Sequence, residues 1–224
     1  PNGSGRLKRF LTWNAGSCCA YAEKHAIDDV AFIRQLIEYM IKQYHIDPAR
    51  VYCTGISNGA MMAYRLAAEM PGRIAAIAPV AGTLTVDPGT IHAPMPIIHF
   101  HGTDDRFVPF AGGRGSRSIT RNSYMPVEET IKIWVGINQA TAIPGVEELP
   151  ALHDDGTRVI RYTYRTREDR QNIVLYKIIG GGHTWPGQPH DRLLLGRTTT
   201  EISANDLMWE FFRMHVKGER EPKE

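Results

Sequence analysis

Apolar residues recur along this chain at two different periods, and the alternation between them sets out the fold. From Asp28 onward, Val30, Ile33, Ile37, Met40, Ile41 and Tyr44 repeat at helical spacing, with Phe32 and Leu36 widening the stripe. The acids Asp28 and Asp29 suit the first turn of that helix, and Asp47-Pro48 ends it. Val51 to Thr54 is short, apolar and β-branched, and predicts a strand. The run from Ala60 to Met70 is rich in strong helix formers and predicts a helix. Ile74 to Val80 and Pro96 to His101 read as buried strands, Val127 to Ile137 as a helix. Between residues 160 and 165 Ile160, Tyr162 and Tyr164 alternate with Arg161, Thr163 and Arg165, the period of a half-exposed strand. Ile173 to Ile179 is a nearly continuous apolar strand. Ser203 is placed to cap a last helix through Leu207, Trp209, Phe211 and Phe212.

Strands that alternate with helices in this way imply an α/β fold, a mostly parallel sheet with helices on both faces. Residues 1–27 are expected to be irregular. Residues 110–125 are rich in Gly, Ser and Arg without periodicity, and read as a mobile surface loop. Its arginines Arg114, Arg117 and Arg121 are more simply solvated than ligand-binding. The charged tail 217–224 is expected to fray. No repeat and no interdomain linker interrupts the 224 residues, so a single domain over 1–224 is expected.

Composition narrows the partners. A formal charge of +2 gives no reason to invoke nucleic acid, and no run has the apolar length of a membrane span. No signal-peptide pattern is visible, so compartment is open. Of the three cysteines, Cys18 or Cys19 could bridge to Cys53; small buried residues is the simpler reading.

The chemistry starts at Gly55-Ile56-Ser57-Asn58-Gly59, between a strand and a helix. A serine on a sharp strand-to-helix turn is the setting of a nucleophile elbow. The flanking glycines admit a strained backbone and close packing of the helix. The helix N-terminus directs N–H groups toward the serine oxygen. Serine needs a general base, and the base an orienting acid. In parallel sheets sites form at the carboxyl ends of strands. Two further strand ends carry suitable groups: Asp104 and Asp105 after the 96–101 strand, and His183 in a glycine-rich turn after the 173–179 strand. The spacing alone leaves Asp104 and Asp105 open. His99 and His101 alternate on one strand, but no carboxylate or cysteine at ligand spacing supports a metal there, so one is expected packed and the other near the turn. No metal or organic cofactor is implied. Trp13 and Trp185 could line an acyl pocket.

The segments Trp13-Asn14-Ala15-Gly16-Ser17-Cys18-Cys19, Gly55-Ile56-Ser57-Asn58-Gly59-Ala60-Met61-Met62-Ala63-Tyr64, His99-Phe100-His101-Gly102-Thr103-Asp104-Asp105 and Gly180-Gly181-Gly182-His183-Thr184-Trp185-Pro186-Gly187 resemble the polyhydroxybutyrate depolymerase and feruloyl esterase group of α/β-hydrolases, often secreted bacterial enzymes. The resemblance runs through nearly the whole chain in the same order. It implies Ser57 as nucleophile, His183 as base and Asp105 as acid, in a serine esterase acting on short-acyl, feruloyl or hydroxyalkanoate esters. It implies a secreted or periplasmic location. The resemblance departs at the front. Members of the group normally begin with further strands, one ending in a His-Gly-Gly type loop that supplies an oxyanion-hole N–H. This sequence offers the other donor, the Asn58 N–H, and no segment like the first. A truncated α/β-hydrolase fold is therefore expected, with the nucleophile strand at a sheet edge that a second copy of the chain would cover. The second oxyanion donor would come from the Trp13-Asn14 loop or a neighbouring subunit. The rival expectation is a non-catalytic remnant of the fold that binds esters or proteins.

Overall fold

A computed structural model describes residues 1–6, 10–118, 120, 122–189 and 193–218. Five helices and six strands follow one another as α1 (Ala20–Lys24), α2 (Asp29–Tyr44), β1 (Tyr52–Ile56), α3 (Asn58–Glu69), β2 (Ala76–Val80), β3 (Ile97–Gly102), α4 (Val127–Ile137), β4 (Gly145–Glu148), β5 (Arg158–Arg165), β6 (Gln171–Ile179) and α5 (Ala204–Arg213). One sheet holds all six strands in the order β1-β2-β3-β6-β5-β4. The four strands β1, β2, β3 and β6 pair in parallel, and β5 and β4 add an antiparallel hairpin arm. The sheet is thus mixed rather than wholly parallel.

The core lies on both faces of the sheet because its central strands carry apolar residues on both. On β3 and β6, Ile97, Ile173 and Leu175 point to the side covered by α3 and α4. Ile98, Phe100, Val174, Tyr176 and Ile178 point to the side covered by α5. Such double burial is why these strands read as continuous apolar runs. Helix α3 enters the core along most of its length, from Ala60 to Ala68, on small residues that bring it close to β1 and β2. Helix α4 buries Val127, Ile131, Trp134 and Val135, one stripe at helical spacing. Helix α5 buries Met208, Phe211 and Phe212 and turns Trp209 outward.

Several expectations need adjustment. The segment 1–27 is not wholly irregular: Ser4 and Thr12 form an antiparallel bridge and Ala20–Lys24 is helical. Asp28 caps α2, its carboxylate accepting from Ala31 N at 2.9 Å, but the apolar stripe of that helix is largely uncovered. Only Val30 of the stripe is buried, while Tyr44 is 63% exposed. The stripe runs beside β1, where the described chain places no further strand. Residues 110–125 pack more than their composition suggests, with Phe110 and Tyr124 buried and Gly113 bridged to Tyr124. Arg117 donates to the Leu194 carbonyl at 2.6 Å. Arg121 lies outside the described residues, as does the end of the tail, 219–224. Lys217 is tied down, its N–H donating to Ala49 O at 2.9 Å. Cys18 and Cys19 are bonded to each other, and Cys53 is free, so no bridge joins either to Cys53. No described helix is long and apolar enough to cross a membrane.

Candidate active site

Three strand ends meet the expected residues. At the end of β1, Ser57 takes φ 59°, in a region that an L-residue with a side chain rarely adopts. Its backbone is held from both sides. Ser57 N donates to Val80 O at 2.9 Å, and Ser57 O accepts from Ala60 N at 3.0 Å and Met61 N at 3.1 Å. A β-carbon on Gly55 would stand 2.7 Å from the carbonyl carbon of Gly59, so only glycine there lets α3 start directly from the strand. Gly59 itself has open space where its side chain would be, and close packing does not require it. The Ser57 hydroxyl makes no hydrogen bond within the described residues, to His183 or otherwise.

At the end of β3 the two aspartates separate. Asp104 is exposed and accepts from the Thr103 hydroxyl at 3.1 Å. Asp105 is 4% exposed. Its Oδ1 accepts from Phe107 N at 2.8 Å and Val108 N at 2.9 Å, and its Oδ2 lies 2.7 Å from His183 Nδ1. Burial pushes the carboxyl pKa up. Hydrogen bonds from His101 and His183 help outweigh it, and Asp105 is held well below the usual carboxylate range. The group is therefore an anion that keeps a proton on His183 Nδ1 and leaves Nε2 as the basic nitrogen.

At the end of β6, Gly180 takes φ 76° and turns the chain so that His183 N donates to Leu195 O at 2.7 Å. The imidazole is buried, with the Phe107 ring against it at 5.0 Å between centroids. Phe107 also lines a cavity of about 320 Å³ that contains Ser57, Asn58, Met61 and Tyr124. One aromatic ring thus borders both the serine and the histidine. Nothing in the sequence pattern singled out Phe107; its place two residues after Asp105, as a donor to that carboxylate, is an Asx-turn feature.

The other expected residues divide. Trp13 lines a second cavity of about 550 Å³, which runs along β1 past Ile33, Cys53, Ile56 and Ser57. Its ring stacks on Phe32, 6.4 Å between centroids. Trp185 borders neither cavity. Its Nε1 donates to Asn205 Oδ1 at 3.0 Å and its ring packs with the cluster under α5. The side chain of Asn58 grips Trp13 twice, accepting from its N at 2.6 Å and donating to its O at 2.9 Å. Asn14 N donates to Asp29 Oδ2 at 2.7 Å, and Asn14 Nδ2 to Ile27 O at 3.0 Å. The backbone N–H groups of Trp13 and Asn14 are thus both engaged by side chains. The Asn58 N–H, at the first position of α3, has no partner within the described residues.

A strained serine on a strand-to-helix turn and a buried Asp–His pair at neighbouring strand ends agree with what comparison with known proteins finds. The phospholipase/carboxylesterase family model matches residues 20–137. The chain belongs to that family. Its fold also matches that of the acetyl xylan esterase from Aspergillus awamori, with a TM-score of 0.52 at 18% identity over 83% of this chain and 67% of that one. Among curated relatives, a protein of Nocardia uniformis subsp. tsuyamanensis named as an esterase, NocK, is 31% identical over 82% of this chain and 56% of its own length. Feruloyl esterase B of Piromyces equi is 34% identical over 76% of this chain and 31% of its own. The chain spans about half or less of the length of these two members.

Proposed function

We propose that this chain carries the catalytic machinery of a serine carboxylic ester hydrolase. The observation that carries the proposal is the Asp105–His183 pair, 2.7 Å apart and buried, at the same end of the sheet as the Ser57 elbow. In this reading His183 Nε2 takes the Ser57 proton as Oγ attacks the ester carbonyl. Asp105 stabilises the imidazolium. The Asn58 N–H receives the developing oxyanion. His183 then gives its proton to the leaving alcohol, and water cleaves the acyl-enzyme along the reverse path. The acyl group sits in the cavity of about 320 Å³ between Phe107, Met61 and Tyr124, a size suited to a short acyl or single aromatic acyl chain. Feruloyl and hydroxyalkanoate esters fall within that range.

Removing one oxyanion donor typically costs about 2.7–4 kcal/mol of barrier, the scale on which the Asn58 N–H would act. The test is a fluorophosphonate probe followed by peptide mass spectrometry, beside Ser57→Ala assayed on a short-chain aryl ester. An adduct on Ser57, and hydrolysis lost in the variant, are the expected results. A folded sample that takes no label would instead favour a non-catalytic module that retains the fold.

The β1 edge supports a second part of the reading, that two copies associate there. Ile56 on that strand is 37% exposed, and α2 beside it exposes Phe32, Tyr39 and Tyr44. Unpaired strand edges with apolar surroundings are templates for pairing. Light scattering at micromolar concentration should give the mass of a dimer or larger. A monodisperse monomer would remove this part and leave the catalytic one standing.

A further inference from the structure

His99 and His101 lie two apart on β3 and so point to the same face, the one that α3 and α4 cover. Both are buried and their rings are parallel within 7°, with centroids 5.4 Å apart. Tyr64 Oη, on α3, is 2.8 Å from His99 Nδ1. His99 Nε2 is 3.1 Å from His101 Nδ1. His101 Nε2 is 2.8 Å from the carbonyl oxygen of Val108 and 3.4 Å from Asp105 Oδ2. A continuous chain of polar contacts thus runs from the centre of α3 to the turn that clamps Asp105.

The direction of its protons follows from the donor inventory. The Val108 carbonyl and the Asp105 carboxylate only accept, so His101 Nε2 carries a hydrogen. With His101 neutral, its Nδ1 is a lone pair, and His99 Nε2 must donate to it. His99 Nδ1 is then a lone pair that accepts from the Tyr64 hydroxyl. Every donor finds an acceptor. The reverse order would put protons on both nitrogens of His101 and leave the Tyr64 hydroxyl hydrogen without an acceptor in a fully buried place. Burial holds the His99 pKa well below the usual histidine range, in agreement with a neutral ring.

We propose that His101 is a positioning residue for Asp105, and that Tyr64 and His99 act to fix its tautomer. The proposal rests on the reading of Asp105 as the acid of the triad. His101 Nε2–H holds the carbonyl of Val108, and the N–H groups of Val108 and Phe107 hold Asp105 Oδ1. Oδ2, 3.4 Å from His101 Nε2, faces His183. The opposite tautomer of His101 would set a lone pair against the Val108 carbonyl and the carboxylate together, and the clamp would loosen.

The kinetic test compares His101→Phe, His101→Gln and Tyr64→Phe on an aryl ester. Glutamine keeps an N–H near the place of Nε2, and phenylalanine does not. His101→Phe should lower kcat by about tenfold to a hundredfold with KM little changed. His101→Gln should recover most of that loss, and Tyr64→Phe should fall between. Equal losses in the Gln and Phe variants, or a raised KM with kcat intact, would overturn the proposal. The wild-type protein gives a second readout that no failure to fold can obscure. Long-range 15N–1H spectra of histidine-labelled protein should show His99 and His101 as neutral Nε2–H tautomers. An Nδ1–H form of either ring would overturn it as well. The two readings fail separately. Hydrolysis that survives Ser57→Ala removes the triad, whereas hydrolysis that needs Ser57 but ignores His101→Phe removes only the positioning role.

Discussion

β3 and β6 run through the middle of the sheet, buried on both faces, whereas β1 closes the sheet at one side with Ile56 37% exposed. The candidate site draws one half from each region. The proposed acid and base, Asp105 and His183, stand at the ends of the central strands, and four described contacts fix the Asp105 carboxylate. The serine stands at the end of the edge strand, held by backbone hydrogen bonds and a strained φ, with its hydroxyl unpartnered among the described residues. The central half is preorganised by burial, where each polar group must be satisfied to exist at all. The edge half is preorganised by backbone geometry, which needs only a helix seated on a strand. Stability and catalysis should therefore be coupled in one half and separable in the other.

The largest effect expected from that difference comes from paired substitutions. Asp105→Ala should cost both functions. It leaves two buried N–H groups and the His183 Nδ1–H without an acceptor, a loss of about 3 kcal/mol or more of folding stability. It should also lower kcat by about three to four orders of magnitude, through loss of the correct imidazole tautomer. Ser57→Gly should abolish hydrolysis by a similar or larger factor and yet raise stability, by about 1 kcal/mol, since glycine adopts φ 59° without strain. Chemical denaturation and steady-state kinetics on the two variants measure both axes. An Asp105→Ala protein as stable as the parent, or a Ser57→Gly protein less stable than it, would show that the two halves do not differ in this way.

The sequence made the central region readable and the edge only partly so, for one physical reason. Ile173 to Ile179 announces itself because both faces of β6 are covered, and the pattern of a doubly buried strand needs no tertiary information. The stripe of α2 announced a buried face just as plainly, yet Ile33 and Ile37 are half-exposed and Tyr44 is exposed. Periodicity reports which face a helix would bury, not whether a partner is there. The same limit governs the site. Ser57, Asp105 and His183 are placed by strand ends, which the pattern locates. Asp104 and Asp105 could not be separated by spacing, since one residue decides which carboxylate turns inward to meet the Phe107 and Val108 N–H groups. The short strand β4, Gly145–Glu148, was invisible because all four of its residues are exposed and carry no apolar alternation. That the backbone N–H groups of Trp13 and Asn14 are taken by Asn58 and Asp29 is also something local sequence does not hold.

A smaller effect should show the edge loosening before the centre as pH falls. Tyr52, on β1, stacks on Phe212 with ring centroids 4.6 Å apart, and its hydroxyl donates to the carbonyl of His215 at 3.0 Å. These contacts fasten the edge strand to the end of α5. The His215 ring lies against Phe211, and its Nε2 is buried without a partner among the described residues. Burial lowers its pKa from 6.5 to about 4. The unfolded chain therefore binds this proton first, so the stability that neutral His215 permits is full above about pH 6.5 and declines as pH falls toward 4. The whole of that decline is about 3 kcal/mol at most. Asp105 has the opposite kind of group and a lowered pKa. Its contribution is present above the ordinary carboxylate range and is lost only below it, so the centre holds across the window in which the edge weakens. Asp29, raised mainly by burial, works in the other direction near Asn14 and would partly offset the decline, which is why the comparison must be made against a His215 variant. His215→Phe keeps an aromatic ring against Phe211 and removes the proton site. Denaturant unfolding at pH 7.5 and pH 4.5 should give a steeper loss for the parent than for His215→Phe. Hydrogen exchange at pH 4.5 should speed up at β1 amides in the parent while β3 amides stay protected. Equal pH slopes in the two proteins, or earlier exchange at β3 than at β1, would show that the edge is not the half that acid releases.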